Sequence, residues 1–208
     1  MSFYPKLIYC HSIQINIDSP NTSQPSPQAK AEDVSSLILK KAQIQWVLSI
    51  AQRMILKQHD VNETYTLTCS LNLLYRGSRD GYRPRNFHSK CDNKGPTITV
   101  IRTGTDNEII GGFNPTSWDK TLQNFKPTSY SFLFAVKSSG NVVSFCQKSA
   151  SAVRNSPTHG PTFGIDLVVF DNFLLCCNSA TQHSYDKPIR DSSELFSVDE
   201  IEVFQVTF

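Results

Sequence analysis

The chain has 208 residues and a mass of 23.4 kDa; 39% of the residues are hydrophobic and 18% charged, with 20 Lys and Arg against 18 Asp and Glu. A single domain of this length buries roughly 70% of the surface that its unfolded chain exposes. The near balance of charge excludes a highly charged disordered chain, an acidic tail protein and a generally basic nucleic-acid binder, and no apolar run approaches the roughly 20 residues that cross a bilayer.

The opening residues, MSFYPKLIYCHSIQINID, interleave apolar positions with Pro5, Lys6, His11, Gln14 and Asn16, so they lack the compact apolar stretch and cleavage site of a secretory signal. Six cysteines are present, and Cys176 and Cys177 are adjacent, a poor arrangement for bridging each other. They read as reduced thiols, and the chain is expected to be soluble, intracellular and cytoplasmic. Ser19 to Gln28, SPNTSQPSPQ, carries three prolines, three serines and no large apolar side chain. Residues 1–34 therefore read as an N-terminal segment with a mobile linker, and residues 35–208 as the domain. Within the segment, the alternation from Ile8 to Ile17 suits either a short strand or a frayed tail.

Ile44, Val47, Leu48, Ala51, Met54 and Ile55 recur at spacings of three and four, which predicts an amphipathic helix packed on a core. Asp33 or Ser35 is the expected cap, Lys57 lies in the last turn, and QHDVNE ends the pattern. After Thr64 the runs TYTLTCSLNLLY, PTITVIRT, NEIIGGF, SYSFLFAV, NVVSFCQ, FGIDLVVF and IEVFQVTF read as strands separated by turn residues. KSSG between two of them fits a hairpin with Gly140 in the turn. A helix followed by strands without helical crossovers predicts an α+β chain: a two-sheet antiparallel β-sandwich with an N-terminal amphipathic helix and short flanking helices.

No glycine pattern matches a phosphate-binding loop, and the five histidines are scattered, so no metal or cofactor is expected. His88 and Cys91, three apart, are the one pair that a helical face would bring together as metal ligands. Cys91 is also the best candidate for a thiol-based enzyme or redox sensor, since Arg85, Lys90 and Lys94 would depress its pKa and His88 is near in sequence. Cys69, Cys146, Cys176 and Cys177 sit in apolar runs that packing explains. Between Tyr75 and Arg102 there are seven basic residues against Asp80 and Asp92, while Asp186 to Phe208 is acidic. These poles are expected chiefly to pair within the fold or lie solvated. A nucleic-acid surface along 76–102, with Tyr82 and Phe87 as stacking rings, is the third reading after the thiol.

LLYRGSRDGY, NFHSKCDNKGPTITVIRT, NEIIGGFNPTSW, SYSFLFAV, HGPTFGIDLVVF and FSVDEIEVFQV, in this order and spacing, resemble the TLDc domain, the oxidation-resistance type. The match looks closest to fungal forms in which the domain follows a BTB module, here lacking that module. Each block also has a structural reading. Asp80, Gly81 and Tyr82 form a turn ending in an aromatic plug, Gly111 and Gly112 permit close approach before Phe113, and Trp118 fills the core. Gly160 turns the chain, Phe163 and Gly164 follow it, and Glu202 and Val203 belong to the closing strand, preceded by a capping box from Ser197 to Glu200. The resemblance implies oxidative-stress protection and protein binding, with the vacuolar ATPase as partner, and supplies no catalytic residue. The chain is therefore expected to be a non-enzymatic interaction domain, with Arg76, Arg79, Arg83 and Arg85 as its partner-binding residues.

Overall fold

A computed structural model of the chain describes residues 8–10, 13–15, 35–62, 67–104, 106–170, 173, 177–178, 183–192 and 194–208. The linker at 19–28 lies outside them. Of the stretch from Ile8 to Ile17, the strands β1 (Ile8–Cys10) and β2 (Ile13–Ile15) are described, and they pair antiparallel.

Helix α1 (Lys41–Gln58) buries all six residues of the expected apolar face and has Lys57 in its last turn. It begins later than the sequence suggests. The Ser36 hydroxyl accepts the N–H groups of Ile38 and Leu39 at 3.0 and 2.8 Å, closing a local turn that competes with helix. The cap is Lys40, whose N–H donates to Gln43 Oε1 at 2.8 Å. Ser35 is not the cap, and Asp33 lies outside the described residues.

The elements that follow are β3 (Ser70–Arg76), α2 (Gly77–Asp80), α3 (Pro84–Cys91), β4 (Thr97–Thr103) and β5 (Ile109–Asn114). Next come β6 (Phe125–Lys126), β7 (Phe132–Val136), β8 (Val142–Phe145), β9 (Val153–Arg154) and β10 (Thr162–Phe163), then β11 (Leu167–Val169), β12 (Cys177–Asn178) and β13 (Val198–Thr207). The main sheet runs β3-β13-β4-β5-β7-β8 with every pairing antiparallel; β10-β11-β12 and β6-β9 form smaller sheets. The last strand of the chain thus sits between β3 and β4, so the sheet is complete only when the C-terminal strand is in place. The class is α+β, as the sequence implied.

The period-2 alternation of the strands divides the core in two. Ile98, Val100, Phe113, Phe132, Phe134, Phe204 and Val206 pack with α1. Ile101, Ile110, Leu133, Ile201 and Val203 face the other way, onto Phe87 and Cys91 of α3 and onto Phe163, Leu167 and Val169. The close approach expected at the paired glycines is real: a Cβ on Gly111 would stand 2.1 Å from the Thr99 carbonyl oxygen, and one on Gly112 would stand 2.7 Å from the Phe163 ring. Within this second layer Trp118 meets Phe87 and Phe163 edge to face with ring centroids 5.6 Å away in each case, and its indole N–H donates to Thr97 Oγ1 at 2.8 Å.

Two local expectations change. FGIDLVVF is not one strand: Gly164, at φ +60°, turns the chain between β10 and β11, and the Asp166 carboxylate accepts the N–H groups of His183 and Ser184 at 2.6 and 2.8 Å. FSVDE is not a helix start either, because Ser197 precedes the ten-residue strand β13 and the Glu200 side chain turns to the backbone of α2.

Candidate functional site

The turn that leaves β3 carries the densest set of charges, and its geometry begins with Asp80. The Asp80 carboxylate accepts the Arg76 N–H at 2.9 Å and is gripped by the Arg79 guanidinium, which holds it below the usual carboxylate range. Gly81 follows at φ +92°, and Asn86 donates to the Asp80 carbonyl oxygen, so the turn is tied to α3. Tyr82 lies against Gly77 and donates its hydroxyl to the Asp199 carbonyl at 2.8 Å; burial is the chief cause that pushes its phenol up to about 12.

β13 supplies the opposing carboxylates. Glu200, 3% exposed, accepts the Ser78 N–H at 3.1 Å. Glu202 is fully buried; its Oε1 accepts Arg76 Nε at 2.8 Å and the Leu37 N–H at 3.0 Å, and its Oε2 accepts the Ser36 hydroxyl at 2.5 Å. Arg76 Nη2 also donates to the Ser35 carbonyl at 2.7 Å. A third cation of this region, Arg102, pairs with Asp199 at 2.6 Å and donates to the Leu37 carbonyl. The basic and acidic poles of the sequence therefore do pair with each other here, and this pairing fixes the segment preceding α1.

Of the four arginines expected to bind a partner, two have partners within the fold. Arg76 is spent on Glu202 and Ser35, and Arg79 on Asp80 and the Leu74 carbonyl. Arg83 and Arg85 are exposed, and among the described residues neither side chain makes a hydrogen bond or ion pair. Lys90 and Lys94 are exposed in the same way. The sequence held the signal for this grouping: Pro84, Phe87, His88 and Cys91 make the buried face of α3, which leaves Arg85 and Lys90 on the outside.

Cys91 does not have the surroundings that the thiol reading expects. Cys91 is fully buried, and burial, aided by Asp92 and Asp80, raises its pKa well above the ordinary value; the outweighed cause is Lys94. The nearby imidazole is already committed. His88 Nδ1 stands 2.7 Å from Asp92 Oδ1, and Nε2 stands 2.9 and 3.0 Å from the carbonyl oxygens of Ser156 and His159. Both ring nitrogens are thus taken up by groups of the fold, and neither is paired with the Cys91 thiol. Cys69 and Cys146 are free thiols raised chiefly by burial, to about 12 and about 11.

The basic residues of 76–102 lie on two sides of the main sheet. Arg76 and Arg102 reach the segment before α1, whereas α3 packs on the opposite core layer with Phe87 fully buried. Tyr82 is half-buried, and its hydroxyl is bonded to the Asp199 carbonyl.

The sequence model of the TLDc domain matches residues 35–207. The chain belongs to the TLDc family. A search of curated proteins returned no match. The positions that carry the TLDc motif serve its packing: Gly160 lies under the Phe173 ring, where a Cβ would come within 2.5 Å, and Val203 is fully buried. Trp118, Phe113, Phe163 and Glu202 are core or anchoring residues by the contacts above.

Proposed function

We propose that this TLDc chain is a non-enzymatic cytoplasmic interaction domain, that it takes part in protection from oxidative stress, and that the vacuolar ATPase is its protein partner. Family membership supports the stress role. The ATPase is the partner that the resemblance implies. The observation that carries the binding reading is the division of the cations: Arg76, Arg79 and Arg102 are paired internally, while Arg83 and Arg85 stand exposed with no ion pair among the described residues. Thiol chemistry has less support, because Cys91 is buried and its neighbouring imidazole is committed.

The test is affinity purification of the tagged full chain from cells, with quantitative detection of the peripheral ATPase subunits. Co-purification is expected, together with raised survival of the expressing cells under hydrogen peroxide. Failure of the unmodified chain to recover any ATPase subunit removes that partner, and unchanged survival removes the stress role.

A further inference from the structure

We propose that the outer side of α3, with Arg83, Arg85, Lys90 and Lys94, is a preorganised docking surface for an acidic segment of a protein partner. This rests on the interaction-domain reading and names the chemistry of its partner. Arg83 precedes the first turn, Arg85 lies within it, Lys90 in the last turn and Lys94 beyond. The helix is about 12 Å long, and Arg85 and Lys90, five residues apart, border its exposed face from the two sides, so an acidic segment lying along that face meets cations on both flanks.

The platform is rigid. Phe87 and Cys91 are fully buried, Asn86 is bonded to the turn before the helix, and His88 is bonded to Asp92 and to the backbone of 156–159. The cations therefore project from a fixed backbone, and docking orders only their side chains. The nearest carboxylates are already engaged: Asp80 with Arg79 and the Arg76 N–H, Asp92 with His88 and the Lys120 N–H. Among the described residues no carboxylate bonds to these four side chains, Lys90 acting on Asp80 only at a distance, and a partner's carboxylates would supply that pairing. A nucleic acid is the less favoured occupant, because the aromatic rings of this face are buried or hydrogen-bonded and two carboxylates flank the cations.

The probe is a short fluorescein-labelled helical peptide of Glu and Ala, with glutamates every three to four residues, and binding to the full chain is read by anisotropy. Binding is expected to weaken steeply between about 50 and about 200 mM salt. Reversing Arg83, Arg85, Lys90 and Lys94 to Glu is expected to weaken it at least about tenfold. Reversing Lys41, Arg53, Lys148 and Lys187, which are exposed elsewhere, changes net charge equally and is expected to have little effect. A second α3 variant with the four positions as Ala guards against a folding defect, checked by circular dichroism. Equal losses from the two charge-reversed sets, no binding by the unmodified chain, or tighter α3-dependent binding of a short DNA duplex would each overturn the proposal. Peptide binding through α3 without ATPase capture keeps this surface and removes that partner; ATPase capture that survives the α3 reversal does the opposite.

Discussion

Ser36 and Glu202 stand 166 residues apart in sequence, yet the Ser36 hydroxyl donates to the Glu202 carboxylate at 2.5 Å. The same carboxylate takes the Leu37 N–H and the Arg76 guanidinium, so one buried side chain of β13 joins the segment before α1 and the end of β3 to an interior strand of the sheet. Removing it as Glu202→Ala leaves a mostly buried guanidinium and two donors without acceptors. A loss of about 3–5 kcal/mol is expected. Urea denaturation measures it, and a midpoint equal to that of the unmodified chain would show that the anchor contributes nothing.

Gly111 and Gly140 give a contrast between crowding and backbone freedom. Gly111→Ala drives a methyl group against the Thr99 carbonyl oxygen in the centre of the sheet, where backbone cannot yield without breaking the β4–β5 ladder. Gly140→Ala meets open space, and its φ of +128° is the sole obstacle. The first substitution is expected to cost about 3 kcal/mol or more, or to prevent soluble expression, and the second about 1 kcal/mol. Thermal melting of both variants checks the order; a milder effect at Gly111 than at Gly140 contradicts the packing described.

The buried thiols predict a loss of stability in alkali. Cys69 has its pKa raised from 9.0 to about 12, first by burial, and Cys91 is raised for the same reason. A raised folded-state pKa means that the unfolded chain loses the proton first. The contribution is therefore fully present below pH 9 and is lost as pH rises towards about 12 for Cys69. Each thiol adds a slope of up to about 1.4 kcal/mol per pH unit. The urea midpoint followed from pH 8 upward should fall, and the Cys69→Ala, Cys91→Ala chain should fall less steeply. In the native protein iodoacetamide should spare Cys91; labelling below pH 7 would restore the reactive-thiol reading.

His88 ties α3 to residues 156–159. His88→Ala removes the imidazole from between Asp92 and the carbonyl oxygens of Ser156 and His159, and although Asp92 keeps the Lys120 N–H and Ser156 the His159 N–H, a cost of about 1–3 kcal/mol is expected. The local signature is faster amide hydrogen exchange in 155–160, with α1 protected as before. Uniform acceleration over the whole domain would mean that the contact has no local role.

Much of the fold was legible where period alone decides it. The expected face of α1 is the buried one, the apolar runs around β4, β5, β7 and β13 are strands buried on both faces, and KSSG does join β7 to β8. What was not legible depends on partners distant in sequence. Nothing near Ser36 announces that Glu202 will hold it and delay the helix to Lys41. Nor does the RGSRDGY stretch reveal that two of its arginines will be neutralised, one by its neighbour Asp80 and one by β13. Cys91 shows the same limit: the cations beside it in sequence point outward while its thiol points into the core, so burial overrides them.

The arginines of this region should therefore separate into two classes by substitution. Arg76→Glu sets a carboxylate against buried Glu202, where repulsion replaces a contact of 2.7 Å, and several kcal/mol of destabilisation is expected, on the order of 3–5. Arg83→Glu and Arg85→Glu alter exposed side chains with no internal hydrogen bond or ion pair among the described residues, so stability should stay within about 0.5 kcal/mol. Binding should respond the other way, with Arg83 and Arg85 affecting partner capture in a fully folded chain. Chemical denaturation and partner capture on the same three variants decide this. If Arg76→Glu melts like the unmodified chain while Arg83→Glu unfolds, the assignment of internal and external cations is reversed.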